Sequence, residues 1–458
     1  MKLRLSEVAA LVNGRLVGED AWVEGVSSDT RGLSPGCLFV ALRGERYDGH
    51  EFVRRAATLA AGAALVAREV DGGPAQIVVG DTLAALQRLA AAWRLRSNAP
   101  VLAVTGSNGK TTTKTMLAAI LGQAGRVLAT RGNLNNHIGV PLTLLELNAE
   151  HEFAVVEMGA NHPGEIALLT RLARPNVGLI TNAGDAHLEG FGSREGVARA
   201  KGELFADLAA DGIAVINADD AYADLWGELA GDRRQLRFGL RGKTEVSAHD
   251  VATEANGMRF VLTAPDGEAA VTLPLAGRHN VANALAAAAA AAAVGTPVAA
   301  IAAGLAAVPP VAGRLRARSA VGGATLIDDS YNANPDSLAA AIEVLTAGAG
   351  EAWLVLGDMA ELGDATEERH TEAGRLARKA GVRRLFTIGR HSALAAAAFG
   401  GDARHYDDRG ALVRELADGL SSEVTVLVKG SRSAGMEQVV EALTCNDEAE
   451  PAGAGVGC

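Results

Sequence analysis

Pro100–Ile120 reads PVLAVTGSNGKTTTKTMLAAI, and the rest of the chain is organised around it. Val101–Val104 is a short, apolar, β-branched run suited to a buried strand. It stops at Thr105-Gly106-Ser107-Asn108-Gly109-Lys110-Thr111-Thr112, and a helical pattern (Met116, Leu117, Ile120) begins at once. Strand, glycine loop, Lys-Thr and helix form the arrangement that cradles phosphate. Gly106 and Gly109 remove side chains so that backbone N–H groups can close on an anion, and the helix aims its positive end at the same place. Lys110 would supply a point charge for the phosphates, and the Thr111 hydroxyl is placed to hold Mg²⁺. The usual loop has four residues between its glycines; here Val104 stands where the first glycine would fall, leaving the shorter G-x-x-G-K-T-T form. An ordinary glycine turn would leave Lys-Thr-Thr unexplained.

The 458-residue length suggests about three domains. With 48% hydrophobic and 21% charged residues, the chain has ample core for an ordinary globular protein. Its net charge of −11 argues against a nucleic-acid footprint and against binding anionic membranes. A phosphate site must therefore be local. Cys37, Cys445 and Cys458 have no pairing pattern or metal spacing, which fits a reducing cytosol. The N-terminus lacks an apolar signal-peptide core, and the most apolar run, Leu285–Val294, is too short to span a bilayer. A cytoplasmic, monomeric protein without membrane insertion is expected.

Residues 1–98 read as a small α/β domain, with a helix around Leu3–Val12, a strand at Cys37–Leu42 and a helix at Phe52–Ala61. Strands at Ala63–Val66 and Gln76–Val79 follow, and helix Leu83–Leu95 closes the domain. Its Ser28-Asp29-Thr30-Arg31 groups hydroxyls and a guanidinium on one loop, able to bind a diphosphate or to serve only as a polar turn. Residues 99–312 read as a nucleotide-binding α/β domain with a mostly parallel sheet. Its strand candidates Val101–Val104, Ala154–Val156, Val177–Ile180 and Ile213–Ile216 each lead into polar residues, as strands of an open α/β sheet do at their carboxyl ends. Glu157 and His187 arrive this way beside the phosphate loop, as direct or water-mediated Mg²⁺ partners. Asn133 and Asn136 add amides from Thr130–Asn136. Residues 236–275 alternate like antiparallel strands, with turns at Asn256-Gly257 and Asp266-Gly267. Asn280 opens an Ala-rich helix. Residues 313–446 read as a third, Rossmann-like α/β domain with no G-x-G-x-x-G opening, and 447–458 as a disordered Gly/Ala/Glu-rich tail.

Laid out together, these motifs resemble the Mur ligase family, ATP-dependent amino-acid ligases of peptidoglycan synthesis. The resemblance spans nearly the whole chain. It rests on Thr105–Thr112, Glu157-Met-Gly, the Asn-Ala-Gly-Asp-Ala-His run ending at His187 and Ala200-Lys201-Gly-Glu-Leu-Phe. His279-Asn280-Val-Ala-Asn, Gly313-Arg314 and Asp328–Pro335 complete it. Within the family, Gly132–Asn136, Tyr331–Pro335 and Lys429-Gly-Ser-Arg-Ser433 look like the member that joins D-alanyl-D-alanine to UDP-N-acetylmuramoyl-tripeptide. The D-N-P-R motif of the tripeptide-forming member is missing.

The resemblance implies ATP and Mg²⁺ as cofactors. ATP would lie on Gly106, Ser107, Asn108, Gly109, Lys110, Thr111, Thr112 and Arg314, with Asn280 and Tyr331 at its base or ribose and Asp329 close to the ribose. Ser28, Asp29, Thr30 and Arg31 would meet the UDP end of the substrate, and Asn133, Asn136, Asn332 and Asn334 the peptide parts. Lys110, Glu157, His187 and Lys201 would be catalytic. Thr111, Glu157, His187 and Lys201, the last carbamylated by CO₂, would hold metal. The reaction implied runs through an acyl phosphate to UDP-N-acetylmuramoyl-pentapeptide, ADP and phosphate. A folylpolyglutamate synthase shares the two later domains but would lack the separate one before the loop. A P-loop switch ATPase fits poorly with a third domain rich in site-like loops.

Overall fold

The computed structural model describes residues 1–444 apart from 45, 255, 256 and 349. Cys445, Cys458, the tail and Asn256 of the Asn256-Gly257 turn lie outside the described residues. Besides a two-stranded antiparallel pairing of Lys2–Arg4 with Trp22–Glu24, three larger sheets carry the described residues. The first has five strands; Val26–Ser27, Leu38–Val40, Ala63–Val66 and Ala75–Val78 run parallel, and Arg15–Val17 adds an antiparallel edge. The helix expected over Phe52–Ala61 is shorter, Val53–Thr58, because a 3₁₀ turn over Gly49–Phe52 precedes it and Ala60 turns left-handed at φ 61°.

Val101–Thr105 lies inside the second sheet, buried along its whole length. Strands covered on both faces need continuous apolar runs, and this one supplies it. Phe153–Glu157 pairs with it on one side and Val177–Ile180 on the other, both parallel. Their registers set Glu157 opposite Val104 and Ile180 opposite Thr105, so their carboxyl ends open beside the glycine loop. The chain moves to one side of Val101–Thr105 first and to the other afterwards, leaving a crevice at the switch point. The sheet has nine strands and ends in the antiparallel Val246–Glu254, Gly257–Ala264 and Gly267–Leu273. Arg234–Gly239, expected among those antiparallel strands, is parallel to both neighbours. The crossover helix Ala223–Ala230 returns the chain to the same end of the sheet, which dictates that direction. Helix Arg278–Ala293 buries its alanines against Lys110–Leu121, where small side chains allow close approach.

The third sheet has six strands, of which Thr325–Asp329, Val424–Lys429, Glu351–Gly357, Arg384–Ile388 and Ala403–Tyr406 are parallel. Arg316–Ser319 is antiparallel at the edge. The first and second units are held together by Arg94. Its buried guanidinium donates to Ala173 O at 2.9 Å and Ser97 O at 2.8 Å, and its Trp93 neighbour donates to Leu147 O at 2.9 Å. Among the described residues no helix is long and apolar enough to cross a membrane.

Candidate active site between the second and third units

The glycine loop turns where only glycine fits. Gly109 has φ +79°, and a Cβ there would lie 2.2 Å from Asn283 Oδ1; one on Gly106 would lie 1.9 Å from Thr181 Oγ1. The loop is thus clamped by the neighbouring strand and by the Ala-rich helix. Thr181 Oγ1 donates to Asn108 O at 2.6 Å, Asn108 N to Asn182 Oδ1 at 2.9 Å, and Gly184 N to Ser107 Oγ at 2.9 Å. Lys110 is partly buried, with Nζ donating to Gly106 O at 2.7 Å and Ser107 O at 3.2 Å. Burial pushes its ammonium below its ordinary pKa, and Glu157 opposes that shift.

Two cavities of about 350 and 370 Å³ share Asn108, Gly109, Thr112, Arg314 and Ser337 in their walls. They are two halves of one cleft, separated by the loop. The first half collects Lys110, Thr111, Asn133, Asn136, Glu157 and His187 from the second unit. Tyr331, Asn332, Asn334 and Glu361 join them from the third. The other half holds Asn280 and Asp329 with His279, Asn283 and Lys429. Tyr331 therefore opens on the first half while Asn280 and Asp329 open on the second. The Arg314 guanidinium lies 4.4 Å from the centre of the Tyr331 ring.

Glu157 is 2% exposed and fully engaged. Its Oε2 accepts from Thr111 Oγ1 at 3.1 Å and lies 3.0 Å from Lys114 Nζ; its Oε1 accepts from Asn135 Nδ2 at 2.7 Å. Burial raises the carboxyl's pKa, but Lys114, Lys110 and Asn135 more than offset this and hold it ionised. His187 adopts φ 56°, uncommon outside glycine and frequent at functional positions. Its Nδ1 sits 2.6 Å from Glu361 Oε2 but out of hydrogen-bond alignment. Lys201 lies on helix Arg194–Ala206, 1% exposed and behind the cleft wall. It makes no hydrogen bond or ion pair with a described residue; its Nζ stands 5.3 Å from the centre of the Phe191 ring. Burial, and then the nearby charge of Lys110, bring its pKa down to about 7.

The N-terminal loop is separate. Arg31 is engaged by Asp29 at 2.6 Å, and Ser28 lines a shallow hollow with Tyr47 and Phe52. Asp29 and Thr30 are absent from that lining. Asn334, in the cleft lining, also caps helix Pro335–Ala347 and donates to Asn108 Oδ1 at 2.8 Å.

The chain matches the Mur ligase catalytic domain over residues 23–94, the middle domain over 104–291 and the glutamate ligase domain over 313–432. The UDP-N-acetylmuramoyl-tripeptide--D-alanyl-D-alanine ligase of Escherichia coli is 46% identical over 449 residues, covering 97% of this chain and 99% of that one. The chain belongs to the Mur ligase family. A crystal structure of MurF from Acinetobacter baumannii matches with TM-score 0.91 at 35% identity, over 96% of this chain and 98% of that one. The MurF ligase of Thermotoga maritima in complex with ADP matches with TM-score 0.80 at 28% identity, over 92% and 97%.

Several residues in or behind the cleft of this Mur ligase escape sequence reading. Lys114 follows Lys110 by four residues, one helical turn, and that spacing is the one signal pointing to it. Asn135, His279 and Glu361 lie inside or beside the motifs, with nothing local to single them out. A charge cluster joining the two units leaves no local signal at all. Asp185 N and Arg194 Nη2 donate to Asp336 at 2.9 and 3.1 Å, Arg194 Nε to Asp185 at 3.0 Å, and Arg369 Nη2 lies 2.9 Å from Asp185. Partly exposed pairs of this kind contribute about 1 kcal/mol together. Arg194→Ala is therefore expected to shift the closed arrangement toward an open one about fivefold, raising KM for ATP by a similar factor. High salt should produce the same change in the wild type and little more in the variant, as ATP saturation curves and small-angle scattering would record.

Proposed function

We propose that this protein joins D-alanyl-D-alanine to UDP-N-acetylmuramoyl-tripeptide at the expense of ATP, in peptidoglycan precursor synthesis. The observation that carries the reading is the shared wall of the cleft. Asn108, Gly109 and Thr112 face both halves, so a triphosphate on the loop links a nucleoside half to an acyl half. Residues 1–98 form the unit for the UDP end, 99–312 the unit for ATP, and 313–446 the unit that closes over the nucleotide and receives the incoming dipeptide. Asn280 and Asp329 take the nucleoside, while Asn133, Asn136 and Asn332 face the acyl side.

The reaction must bring a carboxylate up to a triphosphate. One carboxylate oxygen of the tripeptide attacks the γ-phosphorus, the bond to ADP breaks, and an acyl phosphate forms. The D-alanyl-D-alanine amine, having lost its extra proton, then attacks the acyl carbon and releases phosphate. Lys110 turns from its loop carbonyls to the oxygens where charge accumulates.

Mg²⁺ fits the donors present. Among the described residues no three His, Cys, Asp or Glu side chains cluster to hold a metal unaided. Mg²⁺ ordinarily retains waters and leans on one or two carboxylates plus substrate phosphates. Thr111 and Glu157 would hold it, supplying charge neutralisation at the transferring phosphate. Lys201, buried and with its pKa brought down to about 7, is suited to take up CO₂ as a carbamate, which with His187 would offer oxygen and nitrogen ligands to a second cation. Glu157→Ala is expected to raise the Mg²⁺ concentration for half-maximal rate by about tenfold; an unchanged requirement would return Glu157 to a structural role. The substrate assignment is tested by mass spectrometry of products formed with D-alanyl-D-alanine or with free D-glutamate. Only the first should extend the tripeptide.

A further inference from the structure

Lys114 is the buried charge for which this reaction has no use. It is 5% exposed on helix Lys110–Leu121 and does not line the cleft. Its Nζ lies 3.0 Å from Glu157 Oε2 and donates to Gly132 O at 3.2 Å. Thr111 Oγ1 donates to that same carboxylate oxygen at 3.1 Å. One oxygen thus faces both the proposed metal cradle and an ammonium. Lys114, the nearer of two cations, faces the charge of Glu157 directly, and Lys110 adds a second positive charge from the loop. The other carboxylates of this half are engaged elsewhere: Glu165 accepts from Asn161 N at 2.7 Å, and Glu361 stands against His187 at 2.6 Å. A dication entering without nucleotide meets little negative charge to hold it.

We infer that Lys114 is a positioning counter-ion that keeps the Thr111–Glu157 cradle from taking up a divalent cation until nucleotide phosphates arrive with it. The bond to Gly132 O gives the ammonium a second anchor and ties the Thr130–Asn136 loop to the same event. The inference rests on the reading of Thr111 and Glu157 as the metal cradle.

The test uses Mn²⁺ alone, titrated into the full chain without nucleotide and followed by the electron paramagnetic resonance of the free ion. Lys114→Met should bind about tenfold tighter than wild type, because a unit positive charge has been removed a few ångströms from the metal. Lys114→Arg keeps the charge and should match wild type. Equal or weaker binding by a Lys114→Met protein with native circular dichroism overturns the inference, and so does a tenfold gain in Lys114→Arg. Should Lys114→Met not fold, Lys114→Gln carries the same expectation, since its amide still donates to the Gly132 carbonyl. Glu157→Gln with Mn²⁺ and a non-hydrolysable ATP analogue reports on the cradle separately: unchanged affinity there removes the metal reading itself.

Discussion

Replacing Lys201 by alanine is expected to lower turnover about a thousandfold, the scale of losing a pre-organised group at the transferring charge, while leaving the fold intact. A lysine that is 1% exposed and lacks a hydrogen bond or ion pair with any described residue is costly to keep charged. The helix retains it against the Phe191 ring, beside Lys110, with its pKa brought down to about 7. A neutral amine is what attack on CO₂ requires, and the carbamate formed is an anion of the kind a hard cation accepts. Formate or acetate should therefore restore part of the activity of Lys201→Ala by filling the gap. Lys201→Arg should remain inactive, since a guanidinium stays protonated and forms no carbamate. An active arginine variant would show that positive charge or stem packing suffices there.

Lys110→Ala should be at least as damaging, with a loss of about a thousandfold or more in kcat. Lys110 donates to Gly106 O and Ser107 O, so its tip is held where the loop would carry phosphate. Alanine there removes the point charge while the glycines and their clamps on Thr181 and Asn283 persist. Native circular dichroism with near-wild-type turnover would sink the phosphate-loop assignment.

The strand, loop and helix around Lys110 are legible in the sequence because each local signal agrees with the others: apolar run, glycines, Lys-Thr and helical spacing. The strands feeding Glu157 and His187 are legible for the same reason, being buried on both faces. Edge strands are not. Arg15–Val17 is only three residues long, and Arg316–Ser319 is polar and largely exposed, so neither carries an apolar pattern long enough to mark it. The direction of Arg234–Gly239 is not local either, because its pairing depends on the crossover before it. The Asn334 side chain also reaches Asn108, 226 residues away in sequence, a contact no local pattern announces. The Arg194–Asp336 contact spans 142 residues and likewise exists only once the two units meet.

The proposed direct reaction of carboxylate with γ-phosphate in the cleft between the second and third units fixes where each oxygen of the products comes from. Turnover of UDP-N-acetylmuramoyl-tripeptide carrying ¹⁸O in its reacting carboxylate, with ATP and D-alanyl-D-alanine, tests it most directly. An acyl phosphate leaves one labelled oxygen in the inorganic phosphate, alongside ADP. Phosphate without label, or label recovered in AMP, would contradict it.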